Sequence, residues 1–439
     1  MNLVVENCTV VRRAGSPART EDLAIEGNRV ATRPPEGARR IDGTGLLATP
    51  GLVNTHHHLY QWLTRGDAPD HDLFSWLVAL YPKWALVDDD MMHAAARAGI
   101  ASLLTSGCTT TTDHHYIFPR SAGDLLAIEI DAARALGIRF HPCRGSMDLG
   151  RGAGGLPPDE IVEDRDAILD ATEAAISKWH DPADDSMLKI AVAPCSPFSV
   201  TRELMVESAE LARRAGVRLH THLAETAEEQ QFCRERYGCR PAQYVRDLGW
   251  TGEDVWLAHC VQLSDADIQT LGATGVAHCP SSNARLGAGI APIADLVAEY
   301  PRVGLGVDGP ASNEGGELQG EMRAALLAAR LRGGAGAMTA AGALALATSG
   351  GAQCLGRRWS LGTLEPGALA DVALWRLDDL AHAGIEDPVA ALVMGPPRRV
   401  HHLIVNGEVV VEDAELRTAD EESLARDLDF QCRRLRERT

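Results

Sequence analysis

Lysine is almost missing from this 439-residue chain: it occurs at Lys83, Lys178 and Lys189 alone, so nearly all of the 42 basic side chains are arginine. Few positions are therefore open to lysine-based chemistry. Positive charge as a whole is short, with 42 Lys and Arg against 61 Asp and Glu and a formal net charge of −19. That balance argues against a nucleic-acid backbone or an anionic membrane as partner, because both require clustered cations. A highly anionic substrate would need a local basic pocket. The ten cysteines contain no C-x-x-C pair. The first residues lack the basic and apolar regions of a signal peptide, and no apolar run reaches the ~18 residues that cross a bilayer. A cytoplasmic protein with reduced thiols is expected. A G-x-G-x-x-G turn after an early strand is absent, which sets an open dinucleotide-binding sheet in second place. Internal repeats and low-complexity linkers are absent too.

What is present is a regular alternation. Short apolar, β-rich runs occur at 46–54, 109–113, 138–143, 189–195, 217–222, 255–259, 275–279 and 303–308. Between most of them lie Ala- and Leu-rich stretches with helical spacing, such as 91–104, or 204–215 with Thr201 as cap and Gly216 as stop. Eight such runs in one long unit predict an α/β fold, a distorted (β/α)8 TIM barrel over 49–361, with helices outside a parallel sheet. The two ends, 1–48 and 362–412, alternate apolar and polar residues, and neither has enough strands to bury a core alone. They are expected to fold together as a small β-sandwich. Residues 413–439 carry a charged amphipathic helix.

In a parallel barrel, side chains at the C-terminal ends of the strands converge on one mouth. The first run ends Asn54-Thr55-His56-His57-His58; alternation lets His56 and His58 approach one ion while His57 turns away. The fifth ends His220-Thr221-His222-Leu223-Ala224-Glu225. There His222 is a third imidazole, and Glu225 is a carboxylate close enough to shuttle protons without ligating. His220 reads as core, a step deeper. The eighth run ends Gly306-Val307-Asp308, and an acid closing a buried apolar strand is costly unless paired or metal-bound. His259 and His278 close the sixth and seventh runs; one could contact a bound water or the substrate and the other be a buried structural histidine. Three imidazoles and one carboxylate with an open position match a catalytic zinc site. Strand four ends Ala193-Pro194-Cys195-Ser196 and offers no bridging ligand, so one metal is expected.

These residues carry a resemblance. Pro50-Gly51-Leu52-Val53-Asn54-Thr55-His56-His57-His58, His222-Leu223-Ala224-Glu225, Ala258-His259-Cys260 and Gly306-Val307-Asp308 resemble the amidohydrolase superfamily, in its mononuclear aminohydrolase branch. Tyr60-Gln61-Trp62-Leu63-Thr64-Arg65, Arg144-Gly145-Ser146-Met147-Asp148 and Ala193-Pro194-Cys195-Ser196-Pro197 are similar to segments of bacterial 8-oxoguanine deaminases and of hydroxyatrazine and triazine hydrolases. The resemblance implies one divalent metal per chain, zinc or else iron, on His56, His58, His222 and Asp308. It implies Glu225 as proton shuttle and His259 beside the attacking oxygen, with Asp308 sharing in catalysis. The implied reaction is attack of a metal-activated hydroxide on a ring carbon bearing an amine, with 8-oxoguanine giving uric acid and ammonia. A triazine hydrolase, or a deaminase of guanine or a pterin, is the alternative; a non-catalytic scaffold is disfavoured because the ligands are retained. Substrate contacts are expected from Gln61, with Tyr60 and Trp62 as a flat wall and Cys195 at the end of strand four. Arg65, Arg144 and His115 are further polar contacts left unranked. Pro310 departs from the pattern, standing where a small hydroxyl residue is expected. The small-molecule substrate is the expected partner, together with further copies of the chain in a homo-oligomer.

Overall fold

The structure is a computed structural model that describes residues 2–300 and 302–439. Eight parallel strands close a barrel in which sequence neighbours are also spatial neighbours. They are β1 (Leu52–Asn54), β2 (Cys108–His115), β3 (Arg139–Ser146), β4 (Ala191–Pro194), β5 (Arg218–Leu223), β6 (Val255–His259), β7 (Gly275–His278) and β8 (Val303–Leu305). Closure is made where Leu305 of β8 pairs with Asn54 of β1. Helices cover the outside, and their apolar faces and the outer faces of the strands form the main core. The expected caps hold: the helix Arg202–Ala215 begins with Thr201 accepting from the Leu204 amide and stops at Gly216, φ +69°.

The first apolar run, expected as one strand over 46–54, is two. Leu46–Pro50 belongs to the terminal sheet and Leu52–Asn54 to the barrel. The break falls at Gly51, where a Cβ would lie 2.3 Å from the side chain of Thr109. Only glycine lets the chain pass that close to β2 as it leaves one sheet for the other.

The sandwich expected of the two ends takes the form of one continuous nine-stranded sheet. Its central strand Leu3–Val10 pairs antiparallel with Arg19–Glu26 on one edge. Its other edge is shared by Arg39–Asp42 and Leu46–Pro50. The strands Val372–Arg376, His402–Val405, Glu408–Glu412 and Glu415–Leu416 continue beyond Leu46–Pro50. A separate apolar core, with Leu3, Val5, Leu23, Ile25, Val372, Leu374 and Ile404, sits within it. Barrel and sheet are joined by a buried ion pair: Arg139, first residue of β3, donates from Nε and Nη2 to the two carboxylate oxygens of Asp371, 3.0 Å each.

The C-terminal amphipathic helix is Glu421–Arg436, capped by Asp420. It lies on the outside of helix α2 (Asp89–Thr105), with Arg434 paired to Asp88 at 2.6 Å. The ten cysteines are unpaired, and no helix among the described residues is long and apolar enough to cross a membrane.

Candidate active site

The residues singled out at the strand ends meet at one cavity, lined among others by His58, Gln61, Cys195, His222, Glu225, His259 and Asp308. The segment after β1 stays extended past Asn54, so that His57 pairs in parallel with Asp308. The end of β2 grips this segment three times. His57 C=O accepts from the His114 amide at 2.7 Å. His58 Nδ1–H donates to His114 C=O at 2.7 Å. The Leu59 amide donates to Asp113 Oδ1 at 2.5 Å.

Hydrogen bonds fix the tautomers. A carbonyl can only accept, so His58 carries its proton on Nδ1 toward His114, and His222 carries its own on Nδ1 toward the Cys195 carbonyl at 2.7 Å. His220 Nδ1–H donates to Trp256 C=O at 2.8 Å, which leaves His220 Nε2 to accept from His56 Nδ1–H, also at 2.8 Å. The Nε2 lone pairs of His56, His58 and His222 are thereby free and turned to one place. Those of His58 and His222 face each other at 3.1 Å, and Asp308 Oδ1 lies 3.4 Å from His56 Nε2 and 3.3 Å from His58 Nε2. His56 Nε2 is buried and has no hydrogen-bond partner among the described residues. Acceptors crowded without a donor repel one another unless a cation lies between them, and three imidazole nitrogens with one carboxylate oxygen suit zinc. The residues fit the metal that the sequence suggested. Burial pushes His58 down to about 4, and His56 and His222 well below the usual histidine range, so all three are neutral near pH 7 as ligation requires.

Asp308 lies beyond the end of β8 with φ +59°. Burial alone would raise its carboxyl, but contact with His56 and the charge of His259 hold it well below the usual range. Its Oδ1 accepts from the Gly309 amide at 2.7 Å, and its backbone carbonyl accepts from His57 Nδ1 at 2.7 Å. The middle histidine, turned away from the metal position, is thus a fastener for the aspartate. Ala224, His259 and Cys260 also have positive φ, so left-handed non-glycine backbone gathers at this mouth.

Glu225 follows β5 and lines the cavity. It precedes the cap of the next helix: Thr226 is the N-cap, and Glu229 accepts from the Ala224 and Glu225 amides at 2.8 and 2.9 Å. The role of helix-start acid belongs to Glu229, which leaves the Glu225 carboxyl to the cavity. Burial pushes Glu225 up to about 7. His259 is fixed by Nδ1–H donation to Asn283 Oδ1 at 2.9 Å, and its Nε2 faces Glu225 at 3.6 Å and Asp308 at 3.8 Å. Burial works against its protonation, but those two carboxylates outweigh it and raise its pKa. His278 is buried, lies outside the cavity lining, and is pushed down to about 3 by burial.

Of the expected substrate contacts, the structure brings Gln61 and Cys195 to the cavity. Tyr60 and Trp62, expected as a flat wall, lie outside its lining and pack against neighbouring rings and helices. Tyr60 packs edge-on against Trp84, His115 and Tyr116, and Trp62 sits against Gly99 of α2 with Arg65 over its ring. All three residues lie in the 3-10 turn Leu59–Thr64. With three residues per turn, consecutive side chains point ~120° apart, so only one of the three faces the cavity. Arg144 is paired with Glu163 at 2.7 Å and His115 with Glu129 at 2.9 Å, both away from the cavity. The Cys195 thiol is pushed up to about 12 by burial and stays protonated. Pro310 supplies no hydroxyl, but Ser312 places its Oγ 3.5 Å from Asp308 Oδ2.

Sequence reasoning missed most of the apolar wall. Helix α1 (Leu73–Trp84) contributes Leu73, Trp76, Leu77 and Tyr81, and Tyr116, Phe198 and Leu286 complete it. The spacing i, i+3, i+4, i+8 in α1 was a readable signal for one helical face. The Tyr81 hydroxyl and Gln61 Oε1 are buried with no partner among the described residues.

Residues 47–410 match the amidohydrolase family. The chain is 45% identical to the 8-oxoguanine deaminase of Pseudomonas aeruginosa, over 87% of this chain and 86% of that one. It is 38% identical to the hydroxydechloroatrazine ethylaminohydrolase of Pseudomonas sp. (strain ADP), over 91% of this chain and 85% of that one. Among solved structures, the atrazine chlorohydrolase of Arthrobacter aurescens TC1 complexed with zinc superposes with a TM-score of 0.93 at 33% identity, covering 98% of this chain and 100% of that one.

Proposed function

This chain belongs to the amidohydrolase family, and from that membership we propose that it is a metal-dependent hydrolytic deaminase of a planar amino-heterocycle, converting 8-oxoguanine and water to uric acid and ammonia. The observation that carries the reading is the meeting of the free Nε2 atoms of His56, His58 and His222 with Asp308 Oδ1, beside the carboxyl of Glu225, in one cavity. We assign the four ligand positions to a single zinc ion. Such an ion supplies Lewis acidity that brings the pKa of water from 15.7 toward about 7.

The chain's own residues supply the rest. Glu225, pushed up to about 7, can both take and return a proton near neutral pH. Deamination needs that traffic: water adds to the ring carbon bearing the amine, a ring nitrogen gains a proton, and the nitrogen leaves as ammonia after gaining another. When protonated, His259 can donate from Nε2, which faces Asp308 and Glu225, to the oxygen that adds to the ring. Gln61 offers an amide donor and acceptor to a ring carbonyl and its neighbouring N–H, and Leu73, Trp76, Leu77 and Phe198 give the ring an apolar surround. Cys195 acts through its backbone, orienting His222, and lines the cavity as a neutral thiol. The expected setting is cytoplasmic and homo-oligomeric, with no nucleic-acid or membrane partner.

The 38% identity to an ethylaminohydrolase of hydroxydechloroatrazine favours a second reading, release of an alkylamine from a triazine by the same residues. Turnover of 8-oxoguanine, guanine, isoxanthopterin and an N-ethylated hydroxytriazine by the zinc-loaded protein, read as ammonia or ethylamine, decides between them. Uric acid and ammonia from 8-oxoguanine with the highest kcat/KM supports the deaminase. Ethylamine release alone assigns the triazine reaction, and turnover of none of them overturns both.

A further inference from the structure

At the far end of the barrel from Asp308, the N-terminal ends of β3, β4 and β5 border a second cavity of about 210 Å³. Its walls include His141, His180, Lys189, Arg218, Leu355 and Gly356. Arg218 opens the strand on which His222 stands four residues later. At ~3.3 Å per residue the two lie about 13 Å apart, so this cavity and the catalytic one are separate.

The lining is cationic, and its charged side chains are in no close ion pair among the described residues. Lys189, Arg218 and neighbouring Arg357 hydrogen-bond only backbone carbonyls among the described residues. Lys189 Nζ donates to Asp181 C=O at 3.1 Å, Arg218 Nη2 to Glu253 C=O at 2.6 Å, and Arg357 Nη2 to the carbonyls of Asp184 and Ser186 at 2.6 and 2.8 Å. Of the nearby carboxylates, Asp181 stands beside Lys189 and accepts from the Ala183 amide at 2.9 Å, and the others are engaged elsewhere. Glu253 pairs with Arg302 at 2.9 Å, Asp254 with Arg213 at 2.8 Å, and Asp184 with Arg29 at 3.6 Å, while Asp185 accepts from Asn28 at 3.2 Å. Two nitrogens of residues in the cavity wall, Arg218 Nε and His141 Nδ1, are buried with no hydrogen-bond partner among the described residues.

Lysine and arginine offer donors and no acceptors, so the complementary ligand is an anion. The guanidinium fork suits two oxygens of one oxyanion. A space of about 210 Å³ is smaller than the ≈300–1,000 Å³ typical of organic-ligand sites, yet it holds several waters at ≈30 Å³ each. We propose that this cavity binds a small oxyanion of the phosphate type, held by Arg218 and Lys189 with His141 beside them, at the end of the barrel remote from catalysis. The anion is either free phosphate or the phosphate group of a nucleotide whose remainder stays in solvent.

Calorimetric titration of inorganic phosphate and of AMP into the zinc-loaded full-length protein at low ionic strength tests this. Phosphate binds the wild type, and Arg218→Gln and Lys189→Gln each weaken it about tenfold or more, as expected for loss of one charge-assisted hydrogen bond. Lys189→Gln guards against misfolding, because that side chain is only partly buried and bonds a single carbonyl. AMP binding with the same sensitivity to the variants identifies the nucleotide phosphate as occupant; phosphate binding without AMP identifies the free ion. No phosphate binding by the wild type, or binding equally tight in both variants, overturns the proposal.

Discussion

His220 Nε2 lies 2.8 Å from His56 Nδ1 and can only accept there, because its own Nδ1–H is committed to the Trp256 carbonyl at 2.8 Å. The metal-facing lone pair of His56 is therefore set by a carbonyl two residues removed in the hydrogen-bond chain. His220→Phe keeps a ring in the barrel but removes the acceptor and leaves His56 free to carry its proton on either nitrogen. We expect zinc affinity to fall about 10–100-fold. Zinc content after dialysis against a graded competing chelator measures it, and retention equal to wild type would remove His220 from this role.

Glu225→Gln separates proton transfer from metal binding. The carboxyl stands on the cavity, but it is not one of the four groups at the metal position. An amide of the same shape cannot relay a proton. Zinc content is expected to stay at the wild-type level while kcat falls by about 10²–10⁴. A variant that loses its zinc as well would show that Glu225 belongs to the coordination sphere instead.

That His56, His58, His222 and Asp308 come together was legible in the sequence because a polar residue closing a buried strand has few physical excuses, and all four are of that kind. The anchors were not legible, since His220 and His57 matter through lateral neighbours, Trp256 and Asp308, that lie on other strands. The placement of Tyr60 and Trp62 was not legible because a motif gives neighbours in order, whereas the 3-10 turn that turns Gln61 inward turns both flanking rings away. The single strand expected over 46–54 failed for a similar reason. Apolar content does not distinguish one strand from two that share a run, and the break depends on how near Thr109 comes to Gly51.

Gly309 tests the place given to Gln61. A Cβ at Gly309 would stand 1.8 Å from Gln61 Oε1 and 2.2 Å from its Cδ, and the obstructing atoms belong to a movable side chain rather than to backbone. Gly309→Ala is therefore expected to fold and bind zinc while displacing the amide. Its kcat/KM for the preferred ring should drop to about the level of Gln61→Ala, about 10–100-fold if one or two substrate hydrogen bonds are lost. The double variant should add little to either single one, because both remove the same contact. Full additivity would mean that Gly309 acts through Asp308, whose Oδ1 its amide holds at 2.7 Å, and not through Gln61.

Arg139 is fully buried, is held by both oxygens of Asp371, and donates besides to the Asp185 and Ser186 carbonyls and to Asn406. Asp371 in turn accepts from the Asn406 amide at 2.7 Å, so one carboxylate ties β3 to two segments of the sheet. Asp371→Ala strands a guanidinium in the interior and should cost about 3–5 kcal/mol. Replacing both partners, Arg139→Met with Asp371→Ala, removes the uncompensated charge and should recover part of that loss. Denaturant unfolding of the three variants gives the coupling. A double variant less stable than Asp371→Ala alone would mean that Arg139 stabilises the fold chiefly through its carbonyl contacts rather than through the ion pair.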